Sequence, residues 1–399
     1  MSSSTQSVPP APAAKLEPVP MLDLKRQYEA IKGEVAAAIE RVLTTQHFIG
    51  GPELDAFERE SAAYLGTKAS VGCSSGTDAL WLALSAVAVE PGDRVITPPF
   101  TFFASASSIT RCGATPVFAD IDPATFNLDP VAVETAIRKS GPMRAIMPVH
   151  LYGQCADMDA FTQLAQEHKC SIVEDAAQAF GATWRDKKAG TLSDVAAFSF
   201  YPTKNLSAYG EAGAVTTNSE EIADHTRRLR NHGSRWRYYH EEIGWNCRLD
   251  ALQAAVLRIK LKYIDRWNQQ RRAVAARYDS LLRAAGLVKT NATTVDTHAP
   301  VALLQTRPEA YHIYHQYVIR VHRRDELRSF LAERVIGTEI YYPVPIHLQQ
   351  SFAYLGYKPG DLPESEHAAL ESVALPIFPE LLEDEQRRVV EGIAEFYSR

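Results

Sequence analysis

Three short segments of the 399-residue chain carry side chains suited to one chemistry. Lys204 stands in Ser199-Phe200-Tyr201-Pro202-Thr203-Lys204-Asn205-Leu206, between a buried-strand pattern and the bend Tyr209-Gly210-Glu211-Ala212-Gly213. An amine held there in a partly desolvated cleft loses basicity and can attack a carbonyl. Asp175 follows the apolar run Ser171-Ile172-Val173-Glu174, at the strand end where open α/β sheets meet their ligands. A carboxylate in that place needs a cation or strong donors opposite it to stay charged. The turn Ser74-Ser75-Gly76-Thr77-Asp78, between a strand and a helix, aims backbone N–H groups and a positive helix end at an anion such as a phosphate.

Taken singly, each segment has a plainer reading: a solvated lysine, a helix-capping aspartate, a Ser or Thr N-cap. Taken together, an amine, an acid for a pyridine nitrogen and a phosphate cup are the three handles that pyridoxal 5′-phosphate (PLP) offers a protein. They come in the chain order used by the type I PLP fold.

The elements that must position these groups follow from hydrophobic spacing. Leu24 to Leu43 reads as an amphipathic helix; a turn at Gly50-Gly51-Pro52 leads to a second helix carrying Leu54, Phe57 and Tyr64, stopped at Gly66. Short apolar runs then alternate with helical stretches. Strands are expected at Ser70–Cys73, Arg94–Thr97, Thr115–Ala119, Ala145–Val149, Ser171–Glu174, Ala196–Phe200 and Gly213–Thr217, with a helix over Thr77–Val89. This predicts an α/β large domain with a mainly parallel, mixed seven-stranded sheet. A helical region runs from Asp250 to about Ala285. From about Tyr311 a smaller α+β domain is expected, with a strand at Gln316–Val321 and a helix at Asp325–Glu333. The domain expectation is a disordered leader over 1–20, a PLP-binding domain over 21–264, and a linking helix with the small domain over 265–399.

Composition narrows the function. The chain is 46% hydrophobic and 23% charged, as in ordinary globular proteins, and its net charge of −6 leaves no basic footprint for nucleic acid or an anionic membrane. Five scattered cysteines show neither a disulfide framework nor metal spacing, so no metal site is expected and a reducing compartment is. No run is long enough for a membrane span and the Ser/Pro/Ala-rich start lacks a signal-peptide pattern, which places the protein in the cytoplasm.

Beyond the leader, the sequence resembles the DegT/DnrJ/StrS sugar aminotransferases. The resemblance rests on Phe48-Ile49-Gly50-Gly51-Pro52, Ser75-Gly76-Thr77-Asp78-Ala79-Leu80, Pro91-Gly92-Asp93, Glu174-Asp175-Ala176-Ala177-Gln178 and Ser199-Phe200 through Lys204-Asn205-Leu206. Arg230-Asn231-His232-Gly233, Asn246-Cys247-Arg248-Leu249-Asp250, Gln253-Ala254-Ala255 and Pro376-Ile377-Phe378-Pro379 extend it. It implies that Lys204 holds PLP as an internal aldimine and then moves a proton, and that Asp175 pairs with the pyridinium nitrogen. Gly76, Thr77 and Ser199 would bind the phosphate, and Gln178 would lie near the ring. Phe102 would stack on the ring, its alternative being a core phenylalanine. Asn246 would reach the phosphate in the neighbouring subunit, implying a homodimer with shared sites. Tyr342 and His347 would meet the diphosphate of a sugar nucleotide, unless their segment is only a Pro-braced turn. Arg237 and Tyr239 would be further substrate contacts.

The activity so implied moves an amino group from an amino acid, L-glutamate by analogy, through the pyridoxamine form (PMP) to a keto group at carbon 3 or 4 of a nucleotide-linked deoxysugar. The resemblance leans to carbon 3. Alternatives are an aminotransferase acting on a free cyclitol ketone, a PLP- or PMP-dependent sugar dehydratase, whose known forms replace the lysine, and a non-catalytic regulatory binder. One position departs from the family: Ala212 stands where a glycine is usual. A left-handed backbone there would cost ~1 kcal/mol of strain.

Overall fold

The computed structural model describes residues 17–289 and 295–399. Helix α1 (Leu24–Thr45) starts at Asp23, whose carboxylate accepts the N–H groups of Lys25 and Arg26. Helix α2 (Pro52–Leu65) ends at Gly66 in the left-handed conformation that glycine adopts freely. Both are where hydrophobic spacing predicts them.

Seven strands follow: β1 (Ala69–Cys73), β2 (Arg94–Thr97), β3 (Thr115–Phe118), β4 (Ala145–Ile146), β5 (Ser171–Asp175), β6 (Val195–Ser199) and β7 (Gly213–Thr217). They form one sheet in the order β1-β7-β6-β5-β4-β2-β3, in which only β7 runs against the rest. The α/β class and the mixed, mainly parallel sheet are therefore as expected. The fourth strand is shorter than its apolar run. Pro148 has no N–H to give, so the ladder stops at Ile146 and resumes as a single bridge between Val149 and Asp175. Helix α3 (Gly76–Ala86) also stops short of the expected Val89, because Ala88 turns left-handed.

Past β7, α4 (Glu220–Leu229) leads toward the helical region after Asp250, which divides at Lys262-Tyr263 into α5 (Ala251–Leu261) and α6 (Ile264–Ala284). Helix α6 begins in the large-domain core with Ile264 and continues into the small-domain core with Val274, Tyr278 and Leu282. The small domain is an antiparallel sheet of β8 (Val301–Leu303), β9 (Tyr317–Val321) and β10 (Ser372–Leu375), backed by α7 (Arg324–Glu333). Strand β8 precedes Tyr311, so this unit starts earlier than its apolar pattern suggests.

Two expectations are corrected by packing. The expected leader spans 1–20; residues 1–16 lie outside the described residues, but Val19 is fully buried and bridges Ile336. Its N–H donates to Val335 O at 2.9 Å, and its carbonyl accepts from Gly337 N–H at 2.8 Å. Ala212 carries no left-handed strain: it is absent from the positive-φ residues, its side chain is buried in the main core, and its carbonyl accepts from Phe200 N–H at 2.8 Å. The glycine that geometry demands is the next one. A Cβ on Gly213 would lie 2.4 Å from Ser75 O. Among the described residues no helix is long and apolar enough to cross a membrane, and no cluster of His, Cys, Asp and Glu could hold a metal ion.

Candidate active site

The carboxyl ends of β1, β2, β5 and β6 share one edge of the sheet, where open α/β folds bind ligands. A cavity of about 460 Å³ opens there. Gly76 and Thr77 reach it from the first turn of α3, Asp175 and Gln178 from the end of β5, Ser199 and Lys204 from the end of β6. Phe102 and Tyr342 form an aromatic wall, their ring centroids 6.0 Å apart. Eight of the residues singled out from sequence thus converge on one space.

The phosphate cup depends on a close approach. Ser75 caps α3, its hydroxyl oxygen accepting Asp78 N–H at 3.0 Å, and the free N–H groups of the first turn face the cavity. A Cβ on Gly76 would lie 2.5 Å from Ser199 Cβ and 2.8 Å from its Oγ. Only glycine lets the helix start meet the end of β6. Gly76→Ala is therefore expected to weaken PLP binding by the 1–3 kcal/mol typical of overpacking, roughly 5- to 150-fold. Absorbance titration of the apoprotein measures this. Gly33→Ala, where a Cβ meets nothing within 4 Å, should leave the affinity unchanged.

Asp175 is 3% exposed. Its Oδ2 accepts from Ser105 Oγ at 2.7 Å and its Oδ1 from Ala177 N–H at 3.2 Å. Burial pushes its carboxyl above the ordinary range, while Ser105, Ala177, Lys204 and His150 pull it back. Behind it, Glu174 points the other way and is saturated by Gly190 and Leu192 N–H, Ser193 Oγ and His150 Nε2. Ala156 N–H donates to His150 Nδ1 at 3.1 Å, so Nε2 presents the proton to Glu174. Of the two adjacent acids, Glu174 braces the fold and Asp175 alone faces the ligand space.

The Lys204 amine forms no hydrogen bond or ion pair among the described residues, and it fronts the cavity. Burial lowers its pKa to about 8, with Asp175 pulling upward. His315 stands on the same wall. Asn205 Nδ2 donates to Asn268 Oδ1 at 2.8 Å, which turns Asn205 Oδ1 toward His315 Nδ1 at 3.2 Å. The acceptor oxygen makes Nδ1 the donor and leaves Nε2 with a lone pair. Burial, with Lys204 and Arg271 adding to it, holds this imidazole well below its usual pKa. Gln178 is fixed from both ends: its Oε1 accepts Tyr152 N–H at 2.7 Å and its Nε2 donates to Tyr342 Oη at 3.2 Å.

Four expected residues are not brought to this cavity. Asn246 is exposed and bridges Asn231; Arg237 and Tyr239 are exposed on the ribbon formed by Ser234–Trp236 and Tyr239–His240. His347 is 1% exposed, set edge-on to Tyr357, with Nε2 3.3 Å from Glu366 Oε1. Its burial in that cluster removes it from any diphosphate this cavity could hold. Phe102 resolves its two readings: it is 56% exposed on the cavity wall, and the core phenylalanine of its segment is Phe100. Ser105, His315, Gln316 and Tyr341 also line the cavity and were not singled out from sequence. Ser105 had one signal, a place one turn beyond Phe102; the others come from the small domain, where only the tertiary fold makes them neighbours.

The residues present fit PLP. A lone amine of lowered basicity, a buried acid and an anion cup sit in one cavity, and the cup is narrowed to glycine by Ser199. Comparison with known proteins agrees. The DegT/DnrJ/EryC1/StrS aminotransferase family matches residues 29–394. A protein of Geobacillus stearothermophilus named pleiotropic regulatory protein is 50% identical over 380 residues, covering 95% of this chain and 98% of that one. The dTDP-3-amino-3,4,6-trideoxy-alpha-D-glucose transaminase of Streptomyces venezuelae is 46% identical over 381 residues, covering 96% and 97%. The crystal structure of S. venezuelae DesV in complex with a ketimine intermediate superposes with a TM-score of 0.90 at 46% identity, covering 96% of this chain and 99% of that one. With the fold and nearly the whole length in common, the chain belongs to the DegT/DnrJ/EryC1/StrS aminotransferase family.

Proposed function

We propose that the protein is a PLP-dependent transaminase that passes an amino group from an amino acid, L-glutamate by family likeness, to a keto group on a nucleotide-linked deoxysugar. The observation that carries this reading is the convergence of Lys204, Asp175 and the Gly76–Ser199 cup on one cavity. When bound, PLP supplies an electron sink for negative charge at the reacting carbon. Asp175 Oδ sets a negative charge where the pyridine nitrogen would lie. Lys204 Nζ, of lowered basicity, is suited to take a proton from the donor's Cα and return one on the other half of the reaction. Phe102 and Tyr342 narrow the space and shed water from it.

The name of the S. venezuelae relative supports carbon 3 as the site of amination. The exposed positions of Asn246, Arg237 and Tyr239 suit residues that serve a neighbouring subunit's cavity, so the working unit in this reading is a homodimer, acting in the cytoplasm. The name of the G. stearothermophilus relative keeps a regulatory role in view. A pure binder has no use for an unpaired buried amine facing an acid, which favours the enzyme.

L-Glutamate added to yellow holoprotein is expected to convert it stoichiometrically to the colourless pyridoxamine form, with release of 2-oxoglutarate. A subsequent nucleotide-linked keto-sugar should restore the yellow form. No conversion by L-glutamate or any common amino acid would sink the transaminase reading and leave the dehydratase and regulatory alternatives.

A further inference from the structure

A second cavity, of about 320 Å³, adjoins the first and shares Thr203, His315, Gln316 and Tyr341 with it. It is closed by Met21 and Leu22 of the N-terminal segment, by Ile377, and by the guanidinium of Arg271 from α6. Its volume falls within the range of small-molecule sites.

Arg271 is 3% exposed and forms no salt bridge among the described residues. Nη1 makes all of its hydrogen bonds, to the carbonyls of Tyr314 and His315 at 3.3 Å and of Ile377 at 3.1 Å. Nη2 and Nε have no partner among the described residues, yet neither is among the sealed polar atoms left without one. Their N–H groups therefore open on the cavity. Burial lowers the pKa to about 10, with Glu380 pulling upward, so the group is charged at neutral pH. Glu380 acts on it electrostatically but forms no hydrogen bond or salt bridge with it among the described residues, and the open side of the guanidinium fork matches a carboxylate.

The neighbouring cavity needs such a group. Among the described residues Lys204 is the only lysine or arginine on its wall, and Asp175 and Glu211 would repel an entering carboxylate. His315, between the two spaces, is held neutral and supplies no charge of its own.

We propose that the Arg271 cavity is the subsite for a carboxylate of the amino donor. The proposal rests on the transaminase reading above and extends it to the recognition of donor against sugar. The carboxylate is either the α-carboxylate, common to all amino acids, or that of an acidic side chain.

The test uses holoprotein and glutarate, a dicarboxylate without an amine. Wild type is expected to bind glutarate but not glutaramide. Arg271→Gln should weaken glutarate at least about tenfold, the lower end for a hydrogen bond to a charged group. Arg271→Lys should fall between, with PLP affinity kept in both and a melting temperature lowered by the lost Nη1 hydrogen bonds. If only a structural role is lost, glutarate binding will fall together with PLP affinity, and the subsite is refuted. Wild-type affinity for glutarate in Arg271→Gln refutes it equally. Should the variants fail to fold, a wild-type crystal soaked with glutarate decides: a carboxylate on Nη2 or Nε supports the subsite, and its absence at saturation overturns it. Concentration dependence of the half-reaction separates the sources. Weaker L-alanine and L-glutamate together assign the α-carboxylate, and weaker L-glutamate alone assigns the side chain. Failure of wild type to be converted by amino acids would instead refute the transaminase reading, whatever glutarate does.

Discussion

Lys204→Ala is expected to lose turnover by on the order of 10³-fold or more, while still binding PLP without a covalent link. The loss combines two duties. A general acid–base group alone contributes roughly 10²- to 10⁴-fold, and the covalent anchor that presents the cofactor is removed as well. Retention of PLP follows from the rest of the site, since the Gly76 cup and Asp175 do not depend on the lysine. Borohydride followed by peptide mass spectrometry should fix the cofactor to Lys204 in wild type and to nothing in the variant. The position of the amine also predicts a pH dependence. With a pKa of about 8, rather than 10.5, the neutral form at pH 7 rises from roughly one in 3,000 to about one in ten. Capture of PLP by the apoprotein should therefore accelerate as pH rises toward about 8 and level off above it. A variant that turns over within tenfold of wild type would remove Lys204 from the reaction.

Much of this site could be read from sequence because its groups hang on strand ends. A buried strand of a parallel sheet announces itself as an unbroken apolar run, and the residue that ends it must lie at the ligand edge. Asp175, Lys204 and the turn at Gly76 follow from that logic, whereas Ser199 follows only from the resemblance. What could not be read was set by packing across long sequence separations. Phe100 and Phe102 share one short segment, and only the fold decides which faces the core. His315 shares a cavity wall with Lys204, and Arg271 Nη1 reaches the His315 carbonyl because α6 runs from one domain into the other. Nothing in their spacing points to a cavity. His347 shows the converse: a histidine in a segment rich in Tyr and Pro suggests a ligand, yet Phe118, Phe352 and Tyr357 gather beside it into a small core of their own. At Ala212 the conditional strain does not arise, because the backbone there is not left-handed. The close approach that demands glycine falls one residue later, at Gly213.

Asp175→Asn is the second large effect expected, a fall in turnover of on the order of 10²- to 10⁴-fold with the fold intact. The substitution keeps shape and removes charge. Oδ1 of asparagine can still accept one of the two bonds that Asp175 receives. The Ser105 hydroxyl can turn its proton to Thr101 Oγ1, 3.1 Å away, and accept from the new amide. No buried polar group need be orphaned, so the melting temperature should move little. What is lost is the anion that keeps a pyridine nitrogen protonated, and with it the pull on electrons from the reacting carbon. Both half-reactions should slow together, which single-turnover absorbance measurements can follow separately. Ser105→Ala offers a graded version of the same effect. It leaves the carboxylate but removes the strongest of the contacts that hold its pKa down, so Asp175 would titrate at higher pH. Activity in Ser105→Ala should then fall away on the acid side at a higher pH than in wild type, with the alkaline limb unmoved. An unshifted acid limb would mean that Asp175 is kept ionised by the cofactor's own charge and not by the hydroxyl beside it.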